Sequence, residues 1–172
     1  VHTSLRLSVT DRCDIRCFYC MPEKGAEFDP KDNILSFEEI YRLAQLLVAQ
    51  GGVRDVRITG GEPLVRQQVP RLIEMLAGIE QLEDLSLTTN GMLLAEHAQA
   101  LHEAGLQRLN ISLDTLDKEV FKKITRRDGL QKTLQGIEAA IKCGFESVKL
   151  NTLAIKGVTE SEVADLVRYA LD

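Results

Sequence analysis

Hydrophobic positions along the chain follow two different periods. Short runs in which every second residue is apolar predict strands at Leu5–Val9, Asp55–Thr59, Asp84–Thr88, Arg108–Leu113 and Ser147–Ala154. Longer runs with apolar residues at every third or fourth position predict helices at Ser36–Gln50, Arg66–Ala77, Ala95–Ala104, Leu130–Cys143 and Glu160–Leu171. Strands that alternate with helices imply parallel pairing through crossover helices. The pattern therefore predicts an α/β protein of five β/α units.

Each predicted strand is apolar on one face only. In the first strand Leu5 and Leu7 alternate with Arg6 and Ser8, and the other strands repeat this pattern. A parallel strand with helices on both sides would be almost continuously apolar, and a filled eight-stranded barrel would be lined with Val, Ile and Leu. The pattern predicts a curved, incompletely closed barrel with a ligand on its polar face. An antiparallel-like sheet with one solvated face is the alternative.

Size and composition narrow the classes of protein. A chain of 172 residues with 44% hydrophobic residues can bury one core, so we expect a single domain over residues 1–172. No run is long and apolar enough to span a membrane, and the first residues lack the features of a secretory signal, so we expect a cytoplasmic protein without a membrane partner. The net charge of −5 offers no basic surface for nucleic acid.

Three of the four cysteines lie close together in the stretch TDRCDIRCFYCMP, as Cys13, Cys17 and Cys20. Disulfide frameworks use even numbers of cysteines and structural zinc sites normally use four ligands. Three thiolates at C-x3-C-x2-C spacing therefore indicate a metal centre with one open coordination position. A zinc site completed by Asp11 or Asp14 is the alternative. We interpret the isolated Cys143 as a buried, unreactive thiol.

Polar motifs follow three of the predicted strands. They are TGGEP at Thr59–Pro63, TTNG at Thr88–Gly91 and NISLD at Asn110–Asp114. Ligands of parallel α/β proteins bind at the carboxyl ends of strands, and paired glycines allow a close approach of the backbone. We expect the three motifs to form a ligand site, while plain turns and helix caps would also use these residue types.

The cysteine motif, with an aromatic residue before its last cysteine, resembles that of the radical S-adenosylmethionine (radical SAM) enzymes. The resemblance implies a parallel partial (β/α) barrel with a [4Fe–4S] cluster, in which the cysteines bind three irons and S-adenosylmethionine binds the fourth. The implied metal ligands are Cys13, Cys17 and Cys20. The residues implied to contact the cofactor are Tyr19, Gly61 and Ser112, with Glu62 and Asn90 near them.

Longer segments resemble one family within these enzymes. LRLSVTDRC, VRITGGEPLVR, LTTNG, AGLQRLNISLDTLD and VKLN are similar to segments of the GTP 3',8-cyclases of molybdenum cofactor biosynthesis. The resemblance implies a lyase that converts GTP to 3',8-cyclo-7,8-dihydroguanosine triphosphate through a 5'-deoxyadenosyl radical. The residues implied to contact GTP are Arg6, Arg57, Thr88 and Lys149. No side chain is assigned to catalysis itself.

The resemblance also implies partners and a longer protein. An electron donor would reduce the cluster, and the uncovered edge of a partial barrel leaves room for a homodimer. The family pattern continues with a sixth strand and a second [4Fe–4S] cluster, so we expect this chain to be the N-terminal part of such a protein, and the sequence leaves open whether it is active alone. The chain departs from the family at Asp14, where Asn is usual, and at Asp55, where some members have a basic residue.

Two alternatives stay open on the sequence alone. A radical SAM maturase that acts on a peptide would share the cysteine motif and the fold, without affinity for a triphosphate. A noncatalytic zinc or iron–sulfur module would share the cysteines, without binding S-adenosylmethionine.

Overall fold

The computed structural model describes residues 3–24 and 26–171. The strands are β1 (Ser4–Ser8), β2 (Asp55–Thr59), β3 (Asp84–Thr89), β4 (Arg108–Ser112) and β5 (Ser147–Asn151). The α-helices are α1 (Phe37–Gly51), α2 (Val69–Ala77), α3 (Leu94–Glu103), α4 (Lys118–Thr125), α5 (Leu130–Cys143) and α6 (Val163–Leu171). Short 3-10 helices occupy Lys31–Asn33, Pro63–Val65 and Glu160–Glu162. Within these ranges no helix combines the length and the apolar composition that crossing a membrane requires.

All five strands are parallel, and each is hydrogen-bonded to the next strand in the chain. Right-handed crossovers in a sheet of this sequential order place their helices on one side, because the order never reverses. The apolar side chains of the central strands are fully buried there, among them Val56, Ile58, Leu87 and Ile111. The other face carries the polar side chains. The predicted α/β fold, a parallel partial barrel, is confirmed.

Three predicted boundaries are wrong by three residues each. Helix α6 begins at Val163 and not at Glu160, because Glu160–Glu162 forms a 3-10 helix. Strand β5 ends at Asn151, because the next residues bond through side chains, with the Thr152 hydroxyl donating to the Leu113 carbonyl and the Leu153 amide donating to Asp114. Helix α2 begins at Val69 and not at Arg66, because Pro63–Val65 forms a separate 3-10 helix. Gln68 then takes a left-handed conformation, with φ of 61°, before the helix begins.

Helix α4 was not predicted. It lies between β4 and α5, so the crossover from β4 to β5 contains two helices. The side chain of Asp117 caps it by accepting a hydrogen bond from the Val120 amide at 2.8 Å. Phe121 and Ile124 bury one face of the helix, while its remaining residues are mostly charged. An aspartate followed by apolar residues at helical spacing is the signal that could have revealed this short element.

The substitution Gly136→Ala tests the packing of α5 against the turn after β3. A Cβ atom at Gly136 would lie 2.4 Å from the Gly91 carbonyl oxygen and 3.0 Å from Leu94 Cβ. Because backbone cannot yield as a flexible side chain does, we expect the variant to lose about 1–3 kcal/mol of unfolding free energy. Urea denaturation measures the loss.

The same substitution at Gly51 provides the matched control. A Cβ atom there would make only an ordinary contact, 3.7 Å from Leu47 Cδ2. Alanine also favours a helix over glycine, so Gly51→Ala should be neutral or slightly stabilising. Equal stability of the two variants would contradict the close packing at Gly136.

Candidate functional site

The loop that carries the three cysteines, here called the cysteine loop and comprising residues 10–21, follows β1. It is joined by backbone hydrogen bonds to the turn at Gly60 and Gly61 after β2, here called the glycine turn. The Gly61 amide donates to the Thr10 carbonyl at 2.7 Å, and the Glu62 amide donates to the Arg12 carbonyl at 2.8 Å. A Cβ atom on Gly61 would lie 2.3 Å from the Arg12 carbonyl oxygen. Gly61 is therefore required by the packing of two chain segments, in addition to any ligand.

The other side of the cysteine loop rests on the end of α4. The Arg16 amide donates to the Thr125 carbonyl at 2.9 Å, and the Phe18 amide donates to the Ile124 carbonyl at 3.0 Å. The side chains of Ile15, Cys17 and Ile124 form a small apolar cluster that is separate from the main core. The helix that sequence reasoning missed is thus the one that supports the cysteines.

Two arginines after α4 bind the loop backbone. The Arg126 guanidinium donates to the carbonyls of Arg16 and Met21, each at 3.2 Å. The Arg127 side chain donates from Nε to the Asp14 carbonyl at 3.1 Å. These hydrogen bonds span the loop from its first cysteine to its end, and each has a charged donor, which makes it stronger than a neutral bond.

A pocket of about 210 Å³ lies between the cysteine loop and the carboxyl ends of β2, β3 and β4. It brings together all three loop cysteines and four other residues that the sequence predicted for the site. These four are Tyr19, Gly61, Thr88 and Ser112. Glu62 and Asn90 line the same pocket. The three polar motifs thus meet at one edge of the sheet, and their role as a ligand site stays a prediction.

The predicted cationic residues lie elsewhere on the polar face. Arg6 and Arg57 line a second pocket of about 240 Å³ near the amino ends of the strands. Lys149 is exposed on the edge strand β5, where it is paired in register with Asn110 of β4. The structure therefore separates the predicted contacts into a cysteine end and an arginine end of one polar face.

The partial burial of the thiol groups favours metal binding over free thiols in water. Cys17 is buried, Cys13 is half-buried and Cys20 is exposed, and none is in a disulfide. Burial raises the pKa of the Cys13 thiol to about 11 and also raises that of Cys17. A thiolate at these positions therefore needs a cation to replace the lost solvation, which bound metal supplies.

The number of thiols at the pocket matches an iron–sulfur cluster. All three loop cysteines line one pocket and none is in a disulfide. Each thiolate of an iron–sulfur cube binds a different iron, so the loop can hold three of the four irons. Three thiols around one pocket fit a cube with an open corner.

Tyr19 links the cysteine loop to the end of β4. Its hydroxyl donates to Asp114 Oδ2 at 2.6 Å, and Asp114 Oδ1 accepts from the Leu153 amide at 2.9 Å. Burial and the hydrogen bond to Asp114 raise the pKa of Tyr19, so the phenol stays protonated. The ring is left at the pocket wall, where a flat group can pack against it.

Glu62 ties the end of β2 to the end of β3. Its Oε1 atom accepts from the Leu64 amide at 3.1 Å and from the Thr89 hydroxyl at 2.7 Å, while Oε2 accepts from the Asn90 amide at 2.7 Å. The side chain of Asn90 in turn donates to Asp14 Oδ1 at 2.6 Å. Burial raises the pKa of Glu62 to about 7 despite these hydrogen bonds. The carboxylate is 1% exposed and supports the pocket from below.

Sequence reasoning missed the residues that position the loop, Asp114, Arg126 and Arg127. Asp114 ends the NISLD motif and the arginines follow a helix, but only the folded loop shows which groups they contact. The interpretation of Cys143 as a buried thiol was also wrong. Cys143 is half-buried, and its sulfur lies 3.5 Å from Gln99 Oε1, between α5 and α3.

The substitution Glu62→Gln tests the buried carboxylate. Because the folded pKa, about 7, lies above the ordinary value of 4.5, the folded state holds a proton that the unfolded state releases. In the wild-type chain without cofactors, the contribution of Glu62 to the unfolding free energy should therefore be fully present below pH 4.5. About 3 kcal/mol of it should be lost as the pH rises through 7. The variant should lack this loss, although its amide lowers stability at every pH.

Urea denaturation between pH 5 and pH 8 gives the two slopes. Glu96→Gln, an exposed site on α3, is the control and should keep the wild-type slope. Parallel curves for the wild type and Glu62→Gln would show that Glu62 does not titrate in this range.

Comparison with known proteins places these observations in a family. The family model described as "Radical SAM superfamily" matches residues 7–170. A GTP 3',8-cyclase of Rhodopirellula baltica is 63% identical over 171 residues, which are 99% of this chain and 48% of that protein. A GTP 3',8-cyclase of Listeria monocytogenes is 49% identical over 172 residues, which are 100% of this chain and 51% of that protein. The chain thus spans about half the length of the curated relatives it matches.

Solved structures agree on the fold. The crystal structure of methylornithine synthase (PylB) is similar with a TM-score of 0.74 at 17% identity, covering 98% of this chain and 50% of that one. At this identity the likeness concerns the fold alone. Since the family model covers nearly the whole chain and its cysteine motif lines one pocket, the chain belongs to the radical SAM superfamily, whose enzymes use a [4Fe–4S] cluster and S-adenosylmethionine.

Proposed function

We propose that this chain is the radical SAM part of a GTP 3',8-cyclase of molybdenum cofactor biosynthesis. The names of its relatives support the assignment, since they are 49–63% identical over almost all of the chain. The observation that carries it is structural. Three unbridged cysteines share one pocket with the polar ends of β2, β3 and β4.

The cysteine pocket has the parts that the cofactors need. Cys13, Cys17 and Cys20 would hold the cluster, which together with S-adenosylmethionine supplies a carbon-centred radical when both are bound. Gly61 and Ser112 offer backbone and hydroxyl groups to a polar ligand at the open corner. Tyr19 offers a ring surface beside them. The half-buried position of the pocket shields such a radical from water.

The arginine end of the polar face would hold the phosphates of GTP. Arg6 and Arg57 are paired in register on β1 and β2, and both line the second pocket. Guanidinium groups are well suited to phosphate oxygens because each presents several donors in one plane. Thr88 in the cysteine pocket and Lys149 on β5 flank the path between the two ends. The ribose would then lie near the cysteines and the phosphates away from them.

This arrangement favours a nucleotide over a peptide substrate. Two arginines that line one pocket match the negative charge of a triphosphate, which a peptide backbone lacks. The further parts of the proposal are cluster reduction by an external electron donor, a cytoplasmic location and self-association through an uncovered sheet edge.

Anaerobic reconstitution tests the proposal. The dithionite-reduced protein should give the electron paramagnetic resonance signal of a [4Fe–4S] cluster, and S-adenosylmethionine should alter that signal. GTP should then stimulate formation of 5'-deoxyadenosine and yield the 3',8-cyclised nucleotide, assayed in this chain and in a longer polypeptide that contains it. The variant Cys17→Ser is the control without a complete ligand set.

Two results would count against the proposal. If S-adenosylmethionine left the electron paramagnetic resonance signal unchanged, the cofactor assignment would be wrong. The zinc or electron-transfer alternative would then be favoured. Stimulation of 5'-deoxyadenosine formation by a peptide and not by GTP would favour the maturase.

The substitution Arg126→Gln tests the role of α4 in holding the cluster. Loss of two charge-assisted hydrogen bonds to loop carbonyls should loosen the cysteine loop. We expect the reconstituted variant to release iron to a chelator about 10-fold faster, since each such bond is worth about 1.5–3 kcal/mol before solvent screening. The fading of cluster absorbance measures the rate.

Lys123→Gln is the matched control, because it removes one exposed cation from the same helix. Its release rate should equal that of the wild type. An unchanged rate in Arg126→Gln would show that the loop is held without this guanidinium.

A further inference from the structure

The pocket at the arginine end is lined by one arginine, Arg108, to which the proposed function assigns no role. It is lined by arginines from three strands, Arg6 of β1, Arg57 of β2 and Arg108 of β4. Arg6 is paired in register with Arg57, and Ser86 of β3 is paired with both Arg57 and Arg108. The three arginines therefore lie in one row across the sheet, which we call the arginine row.

Two of these guanidinium groups have unused donors. Among the described residues, the Nε atoms of Arg57 and Arg108 are buried and have no hydrogen-bond partner. Buried polar groups are nearly always paired, so two residues that line one pocket and keep unpaired donors are suited to bind a ligand with acceptor atoms. The two N–H groups belong to cations on either side of Ser86, so one anion that reaches both must carry several oxygens.

An acidic pair closes the pocket behind the arginine row. Asp55 and Asp84 are paired in register two residues nearer the amino ends of their strands, which is roughly 7 Å further from the cysteines. Asp84 forms an ion pair with Arg108, and Asp55 accepts a hydrogen bond from the Ser4 hydroxyl at 2.8 Å. An anion is attracted as far as the arginine row and repelled beyond it.

The direction of approach follows from the register. Thr88, Asn110 and Lys149 are paired in register across β3, β4 and β5, two residues nearer the cysteine end than the arginine row. A nucleotide with its ribose at the cysteine pocket passes this row first. Its last phosphate then reaches Arg57 and Arg108, directly in front of the acidic pair.

We propose that Arg108 binds the terminal phosphate of a nucleoside triphosphate and so selects it over the diphosphate. The inference rests on the proposed function for the identity of the nucleoside. Asp84 orients the guanidinium through their ion pair, and the acidic pair limits the length of the phosphate chain. Arg108 is thus a specificity residue, since it lies too far from the cysteine pocket to touch the reacting atoms.

Calorimetric titrations with GTP, GDP and inorganic triphosphate test Arg108. Wild-type protein should bind GTP more tightly than GDP, and Arg108→Gln should weaken GTP and inorganic triphosphate by about 10-fold while changing GDP little. Arg108→Lys keeps the positive charge but loses the planar pair of donors. Its affinity for GTP should lie between those of the wild type and Arg108→Gln. Arg71→Gln is the control, because Arg71 also pairs with a carboxylate, Glu38 at 2.9 Å, outside this pocket.

A phosphorus NMR titration keeps the test independent of how well the variants fold. In the wild-type protein the terminal phosphorus of GTP should shift at saturation, and an unshifted terminal resonance would overturn the proposal. Equal loss of GTP and GDP affinity in Arg108→Gln, or no loss at all, would also overturn it. The proposed cyclase reaction can fail separately. If the longer polypeptide formed no cyclised product while inorganic triphosphate still bound in a manner that depends on Arg108, the reaction would be refuted and the phosphate site would remain supported.

Discussion

The site depends on the close contact of two backbone segments, the cysteine loop and the glycine turn after β2. The amides of Gly61 and Glu62 donate to two carbonyls of the loop, and no side chain fits between them at Gly61. This contact sets the height of the cysteines above the sheet. It also directs the Glu62 side chain toward β3, where two hydrogen bonds, from the Thr89 hydroxyl and the Asn90 amide, join the end of β2 to the end of β3. A single glycine thus couples the position of the cysteines to that of the strands.

The polar face of the sheet is ordered along the strands. Soft thiols lie at the carboxyl ends, hydroxyl and amide groups follow, then arginines, and finally two aspartates. The sequential, parallel strand order produces this layering, because residues at the same register position of neighbouring strands form rows. Such a surface suits an elongated ligand that is chemically different at its two ends.

Much of this could be predicted from the sequence, because alternating polarity and strand-end motifs are local signals. The five strands, the polar face and the grouping of Thr88 and Ser112 with the cysteines followed from these patterns. The supports of the loop did not follow. Arg126 and Arg127 contact carbonyl oxygens more than 100 residues away, and a hydrogen bond to backbone leaves no trace in the partner's side chain. The register of the strands was not predictable either. The alignment of Arg108 with Arg57 depends on how β3 pairs with both of its neighbours.

The support of the cysteine loop by α4 has a consequence for the order of folding. Each strand pairs with the one synthesised just before it, so the sheet can grow from β1 onward while the chain emerges. The cysteines are synthesised before α4, yet one of their supports, Arg126, lies about 110 residues later in the chain. Until α4 forms, the loop has its contacts with the glycine turn, Asn90 and Asp114, but not those with the end of the helix. Because α4 and the residue after it hold the backbone of the loop, the cysteines reach their final positions only when the chain has folded as far as residue 126.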